Sequence, residues 1–378
     1  EEREVGASLA WQNRRFAVQF AGTAVEDPLD GDETRADGSR ASVRLDNWRL
    51  GAGTLDRWWG PGWHSDLLLS NNARPVPGLW LNRRRSTAFE TPWLSWMGPW
   101  SLQVFAGRME NDRAVPRANL FGARLGFRPL PSLEIGLNRM AQWGGEGRPD
   151  DWDSFSNMLL GHDNVGSSGV DRGEDPSNQR AGFDLRWSGA VGEHAFGLYG
   201  QFIGEDEAGY LPSKYVTLAG ADWQSPQAGG RTLVYAEATE TTAGSLSQDL
   251  HYNTAFEHGT YRTGWRYKNR PLASIWGVDA RVATLGAQHT RPARKVIGFT
   301  LSRASFNRDA RLPGFAGRRP VLEPVRNRTL WIASIEHSRP LVGGTLRLEA
   351  DWTQEPLPAG PERERVTMVV SWKRNWHW

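Results

Sequence analysis

The segment Asp56–Pro77 sets Trp58, Trp59 and Trp63 among Arg57, His64, Asn71, Asn72 and Arg74. At its centre Gly60-Pro61-Gly62 forces a tight, irregular path. Flat apolar faces beside amide and guanidinium donors suit a sugar, whose C–H face stacks on aromatics while its hydroxyls need hydrogen bonds. The alternative is structural, with the Trp side chains as membrane-interface anchors and the Asn pair as a turn. A second segment places Tyr252, His258, Tyr261, Trp265, Arg266 and Tyr267 within about twenty residues. It is too polar and too irregular for a lipid-facing strand, and would either line a binding surface or pack as a plug. The candidate polysaccharide-binding set is therefore Arg57, Trp58, Trp59, Trp63, His64, Asn71, Asn72, Arg74, Tyr252, His258, Tyr261, Arg266 and Tyr267.

Other chemistries find little support. The eight His are scattered, and no His-Glu-x-x-His, Gly-x-Ser-x-Gly or phosphate-cradling motif occurs. The absence of Cys excludes thiolate metal sites, disulfides and thiol catalysis. The stretch 143–180 is acidic, with Asp150, Asp151, Asp153, Asp163, Asp171, Glu174 and Asp175, but lacks the ordered oxygen spacing of a calcium loop. It reads as a solvated loop whose charge Arg148, Arg172 and Arg180 would balance. A formal net charge of +2 over 378 residues gives no excess of positive charge for nucleic acid. No enzyme activity, cofactor or metal is expected.

The elements that must position these segments are strands. Period-two alternation recurs: Phe16, Val18 and Phe20; Phe121, Ala123, Leu125 and Phe127; Leu133, Ile135 and Leu137. It continues in Phe183, Leu185 and Trp187; in Trp276, Val278, Ala280 and Val282; and in Leu346, Leu348, Ala350 and Trp352. The intervening positions carry charge, glycine or amide, so one face of each strand is apolar and the other polar. Tight turns, as at Gly98-Pro99, Pro129–Pro131, 189–193, 225–230, 290–293 and 339–344, alternate with long connections near 110–117, 143–180, 205–213, 241–274, 306–327 and 355–363. Short on one side and long on the other is the pattern of an outer-membrane β-barrel. Mean hydropathy of −0.57 agrees, because lumen-facing residues and loops offset the lipid face. Many strands begin or end on an aromatic (Trp48, Trp100, Trp143, Trp187, Trp223, Trp265, Trp331, Trp352), as interfacial girdles require. Val366, Met368, Val370, Trp372, Trp376 and Trp378 share one face at the C-terminus. About 17 strands can be counted, and parity points to ~18.

The run Asp56–Pro77 closely resembles the signature of the Wzi family of capsule-assembly outer-membrane proteins. A second stretch, Tyr252-Asn253 followed by Glu257–Leu272, is similar to that family as well. The resemblance implies an 18-stranded barrel that acts as a lectin, retaining capsular polysaccharide at the cell surface. Two departures stand out. The family's periplasmic helical bundle has no counterpart in residues 1–50, where nothing reads as amphipathic helix, and Ala273-Ser274 stand where a Gly-His pair is expected.

The expected fold is thus all-β: one transmembrane antiparallel barrel over 1–378, with short periplasmic turns and long surface loops partly filling the lumen. The expected partners are surface polysaccharide (capsule or exopolysaccharide) and outer-membrane lipid, the protein acting as a monomer without nucleic acid. The competing function is a diffusion pore for sugars or small acids. Its lumen would be lined by Arg124, Arg128, Glu134, Asp184, Arg186, Asp279, Arg281, Arg347, Glu349 and Asp351. Placement of the signature depends on the next strand. One long strand over 78–97 puts 56–77 at the cell surface or in the lumen, whereas a turn at Arg83-Arg84-Arg85 between two strands puts it on the periplasmic side. The first placement is favoured.

Overall fold

The computed structural model describes residues 2–160, 177–208, 211–227, 229–247, 249–310, 327–356 and 365–374. The wall begins with Arg3–Gln12 (β1), Phe16–Glu26 (β2), Thr34–Arg35 (β3), Arg40–Leu45 (β4), Trp48–Gly53 (β5) and Gly78–Arg83 (β6). It continues through Trp100–Arg108 (β7), Asn119–Leu130 (β8), Leu133–Trp143 (β9), Ser177–Val191 (β10), His194–Ala208 (β11), Leu211–Gln227 (β12) and Gly230–Glu240 (β13). A two-stranded ribbon, Arg266–Tyr267 (β14) and Arg270–Pro271 (β15), lies in the next loop. Arg281–Arg291 (β16), Lys295–Phe306 (β17), Arg328–Leu341 (β18), Gly344–Thr353 (β19) and Val366–Lys373 (β20) complete the wall. Antiparallel ladders join sequence neighbours from β1–β2 to β19–β20, and β13 pairs directly with β16. Among the described residues, eighteen strands join this one sheet. β3 and β4 both pair with β2, as two pieces of one wall strand.

The fold is the expected β-barrel, and alternation assigns its two faces. Leu185 and Trp187 are exposed on the lipid side of β10, while Asp184 between their rows is buried inside. On β13 Val234 points outward and Tyr235 inward. At the C-terminus Val366, Met368, Val370 and Trp372 form the outer face of β20; Trp376 and Trp378 lie outside the described residues. Among the described residues no helix is long and apolar enough to cross a membrane.

Several expected boundaries change. The strand after the signature is only β6, and 84–99 follows as a connection with a 3-10 turn at Ser95–Met97 instead of a tight turn at Gly98-Pro99. Because one strand still separates the two connections, the signature emerges at the long-loop end, as favoured. Trp276, Val278 and Ala280 are not strand residues; the wall resumes only at Arg281, and these three pack inside. Asp279 is consequently buried in a loop, and Arg281 sits at the rim against Glu240 (2.7 Å) instead of lining the lumen. β11 and β12 pair as far as Ala208↔Leu211, which removes the long connection expected at 205–213. Trp265, expected in a girdle, is fully buried.

The acidic stretch after β9 contains a helix, Trp152–Leu160 (α1), capped by the Asp151 carboxylate, which accepts from Ser154 N (2.8 Å). Phe155 and Met158 pack it on Phe121 and Ala141, outward residues of β8 and β9. The helix thus covers Arg139 on the lipid side, and Arg139 Nη2 donates to Met158 O (2.9 Å). Asp163, Asp171, Arg172, Glu174 and Asp175 lie outside the described residues.

Candidate functional site

Between β5 and β6 the chain leaves the wall and fills the lumen. Gly60 and Gly62 are required there: a Cβ on Gly60 would overlap the Asp66 carboxylate, and one on Gly62 the Ser65 carbonyl. Asp66 folds the segment onto itself, accepting from Leu68 N (2.8 Å) and Leu69 N (2.9 Å). Burial raises its carboxyl to about 6. Leu67, Leu68 and Leu69 then pack with Trp59 into the main core cluster.

Inward polar side chains of the wall hold this plug. Gln201 of β11 donates to Trp59 O (2.8 Å) and accepts from Leu67 N (2.9 Å). Glu237 of β13 accepts from the backbone of Trp63 and of His64 (3.2 Å), and from Tyr199 OH (2.9 Å). Trp59 Nε1 donates to Gln103 Oε1 on β7 (3.0 Å). A backbone N–H or C=O buried in the plug must find such partners, because water does not reach it there.

The two sequence segments meet. Ser70 N donates to Leu272 O (2.7 Å), Asn72 Nδ2 to Pro271 O (2.9 Å), and Trp265 Nε1 to Leu68 O (3.0 Å). Ser274, at the position expected to be His, hydrogen-bonds Ser65 at 3.0 Å. β14 and β15 turn through Lys268 and Asn269, both at positive φ, as a tight two-residue hairpin requires. Arg180 of β10 supports the pair from the wall, its guanidinium 4.4 Å from the Phe256 ring and 2.6 Å from Glu205.

Much of the candidate set is therefore consolidated in the plug. Trp59, Tyr261, Arg266 and Tyr267 are buried. Tyr261 OH donates to Gly144 O (3.2 Å), Arg266 pairs with Glu257 (2.8 Å), and burial pushes the Tyr267 phenol up to about 12. His258 Nδ1 accepts from Thr260 N (3.1 Å), shaping its own turn. Arg74 is held by Asp30 (2.9 Å), Asp32 (2.6 Å) and Asp37 (2.6 Å). Trp58 Nε1 donates to Gly62 O (3.1 Å), and Tyr252 lies 5.7 Å from the Arg308 guanidinium.

Two places stay open. Trp63 is 43% exposed, with one face stacked on Tyr235 (6.4 Å, 26°) and its Nε1 donating to Asp222 (3.1 Å). Asp222 is also paired with Arg186 (2.7 Å). The opposite wall carries Arg347 between Glu336 and Glu349 (3.2 Å each), and Asp351 lies near enough to act on the His64 ring. Burial nevertheless holds His64 down at about 4. The second opening is a small cleft of about 20 Å³ bordered by Arg57, Asn71, Arg74, Phe105 and Leu272. There Arg57 lies 4.2 Å over Phe105, and burial lowers its guanidinium to about 10.

Sequence reasoning missed the wall anchors Gln103, Gln201, Asp222 and Glu237. Their signal was present, since each is a polar residue in an alternating strand, but nothing in one strand tells which loop it will meet.

A family model described as "Capsule assembly protein Wzi" matches residues 2–359. The chain belongs to the Wzi family. The Escherichia coli outer-membrane protein Wzi, involved in group 1 capsule assembly and described as a carbohydrate-binding β-barrel, superimposes with a TM-score of 0.77 at 27% identity. That match covers 93% of this chain and 74% of the E. coli chain. A 55.8 kDa protein of the cps region of Klebsiella pneumoniae is 39% identical over 216 residues, 56% of this chain. The matched region spans 41% of that Klebsiella protein's length. OprD of Pseudomonas aeruginosa shares the fold alone, with a TM-score of 0.51 at 10% identity over 100% of this chain and 91% of OprD. This Wzi-family chain is thus an outer-membrane barrel of a capsule-assembly family, with its loops toward the cell surface.

Proposed function

We propose that this protein is a non-enzymatic, lectin-like barrel that binds surface polysaccharide and holds it during capsule or exopolysaccharide attachment. The observation that carries the reading is Trp63: its indole is held beside Tyr235 and by Asp222, yet 43% of the residue stays exposed, whereas Trp59, Tyr261 and Tyr267 of the same plug are buried. An aromatic platform fixed in place loses little entropy when a sugar ring stacks on it. Asn71 and Arg57 border the small cleft and supply amide and guanidinium donors. The other candidate arginines, Arg74 and Arg266, already serve carboxylates, so recognition rests on stacking and hydrogen bonds more than on charge. The carbohydrate binding described for the E. coli relative supports the same reading.

The test compares surface-bound and released polysaccharide in cells carrying the wild-type chain, Trp63→Ala, or no copy. Retention is expected to fall in both altered strains; equal retention in all three overturns the proposal. Planar-bilayer recordings address the pore alternative, since large steady currents through the wild-type barrel would favour diffusion over retention.

A further inference from the structure

The chain that leaves β9 turns back onto the outside of the barrel. There α1 rests on Phe121 of β8 and Ala141 of β9, each the third residue from the loop end of its strand. Both belong to the outward row: a Cβ on Gly122 would meet Trp59 and Phe105 in the lumen, and Met140 is sealed inside. β8 has 12 residues and β9 has 11, about one membrane crossing, so this contact lies at the cell-surface end of the lipid-facing wall. Trp143, the last residue of β9, meets Phe155 of the helix at 5.2 Å, at the level of an interfacial girdle.

With about 3.6 residues per turn, Trp152, Phe155, Met158 and Leu159 share one face of α1, while Asp153, Ser154 and Asn157 share the opposite one. Exposure rises around the apolar face, from fully buried Met158 through half-buried Phe155 to Leu159 (41%) and Trp152 (76%). The wall covers only the first part of it. Beneath the helix the outward row is polar: Arg139 donates to Met158 O (2.9 Å) and to Gln179, and Gln179 Nε2 donates to Ser177 Oγ (2.9 Å). An arginine on the lipid face is costly without such cover, and increasingly so with depth. Two residues below Arg139 on the same row, Leu137 faces lipid again and is 46% exposed. The uncovered part of the helix thus borders the lipid-facing wall.

We propose that α1 is an interfacial anchor whose free apolar edge, Trp152 and Leu159, is covered by lipid acyl chains of the surface leaflet. A short helix with one apolar and one polar face lies in the plane of a membrane interface, and here the wall fixes its depth. Asp151 and Asp153 at its start oppose phosphate headgroups, so the recognised chemistry is the acyl chain. Asp153 and Asn157 remain on the water side.

Because the chain has no Cys, a single introduced thiol reports one position. Trp152→Cys and Leu159→Cys, each carrying a nitrobenzoxadiazole label, would be measured in the full chain in vesicles of phosphatidylcholine brominated in its acyl chains. Leu185→Cys on the lipid-facing wall and Asp153→Cys on the polar side of the helix are the references. Bromine quenching of the two helix labels is expected within about twofold of the Leu185→Cys reference, with little quenching by aqueous iodide. The Asp153→Cys label should show the reverse. Iodide quenching without bromine quenching at both helix positions places the face in water and overturns the proposal. So does bromine quenching that vanishes as the protein-to-lipid ratio rises, which would put a second copy over the face. Met158→Cys checks that the helix stays seated: it should resist an aqueous maleimide in the same vesicles, and ready labelling there overturns the proposal as well.

Discussion

Opposite sides of the lumen are built for different work. On β9 to β13 the inward residues are sealed under the plug: Met140, Gln142 and Gln201 are fully buried, and Glu237 and Asp184 nearly so. On β19 the inward Arg347 keeps half of its side chain exposed. The same alternating pattern therefore yields two interiors. Where a loop returns to the wall, a polar side chain becomes an anchor for backbone groups; where none returns, it remains in water and available to a ligand.

The largest effect expected from that contrast lies on the sealed side. Arg180→Ala leaves Glu205 buried without its partner and should cost about 3–5 kcal/mol. Urea or thermal unfolding in detergent, with protease cleavage of the plug, would measure it. Arg180→Met/Glu205→Leu should recover most of the loss, and failure to recover would mean that the ring contacts of Arg180 matter more than its charge.

His64, at the border between the two sides, should make stability depend on pH. Its folded value is held near about 4 by burial, against 6.5 in an ordinary environment. The folded state therefore resists a proton that the unfolded chain accepts, and stability falls as pH drops from 6.5 toward about 4, by about 3 kcal/mol in full. Asp66 acts in the opposite sense: its raised value means that its penalty fades as pH falls from about 6 toward 3.8. Melting curves of wild type and His64→Gln across this range check the sign, the variant losing less on acidification.

Trp63→Ala removes the open platform and leaves most anchors in place. Binding of oligosaccharides cleaved from the producing cell's own surface polymer should weaken roughly tenfold, with stability little changed. Last, Arg347→Ala breaks only half-exposed ion pairs on the bare wall and should shift stability by less than about 1 kcal/mol. A larger loss there would mean that this wall is as consolidated as the other.

The barrel was legible because alternation and turn length are local: Leu185 and Trp187 against Asp184 declare a face without reference to anything distant. The signature was legible as chemistry, but only partly as a surface. Trp59 and Trp63 look alike in sequence, yet one is sealed by Gln103 and Phe105 and the other stays open, which depends on wall residues far along the chain. The apolar rhythm of Trp276, Val278 and Ala280 misled for a related reason, since a buried plug segment can alternate as a strand does. Helix α1 was hidden because its few apolar residues meet the outside of the wall.

The plug also constrains the order of assembly. Leu67 is held by a residue 134 positions later, and Trp63 by one 174 positions later. Such distant contacts carry a large loop-closure cost until the intervening strands have paired. The signature segment, although made early, can settle only after β11 to β13 are in the sheet. A barrel entering the membrane therefore passes through a stage with an unfilled lumen, and substitutions such as Gln201→Ala should prolong that stage more than they disturb the finished wall.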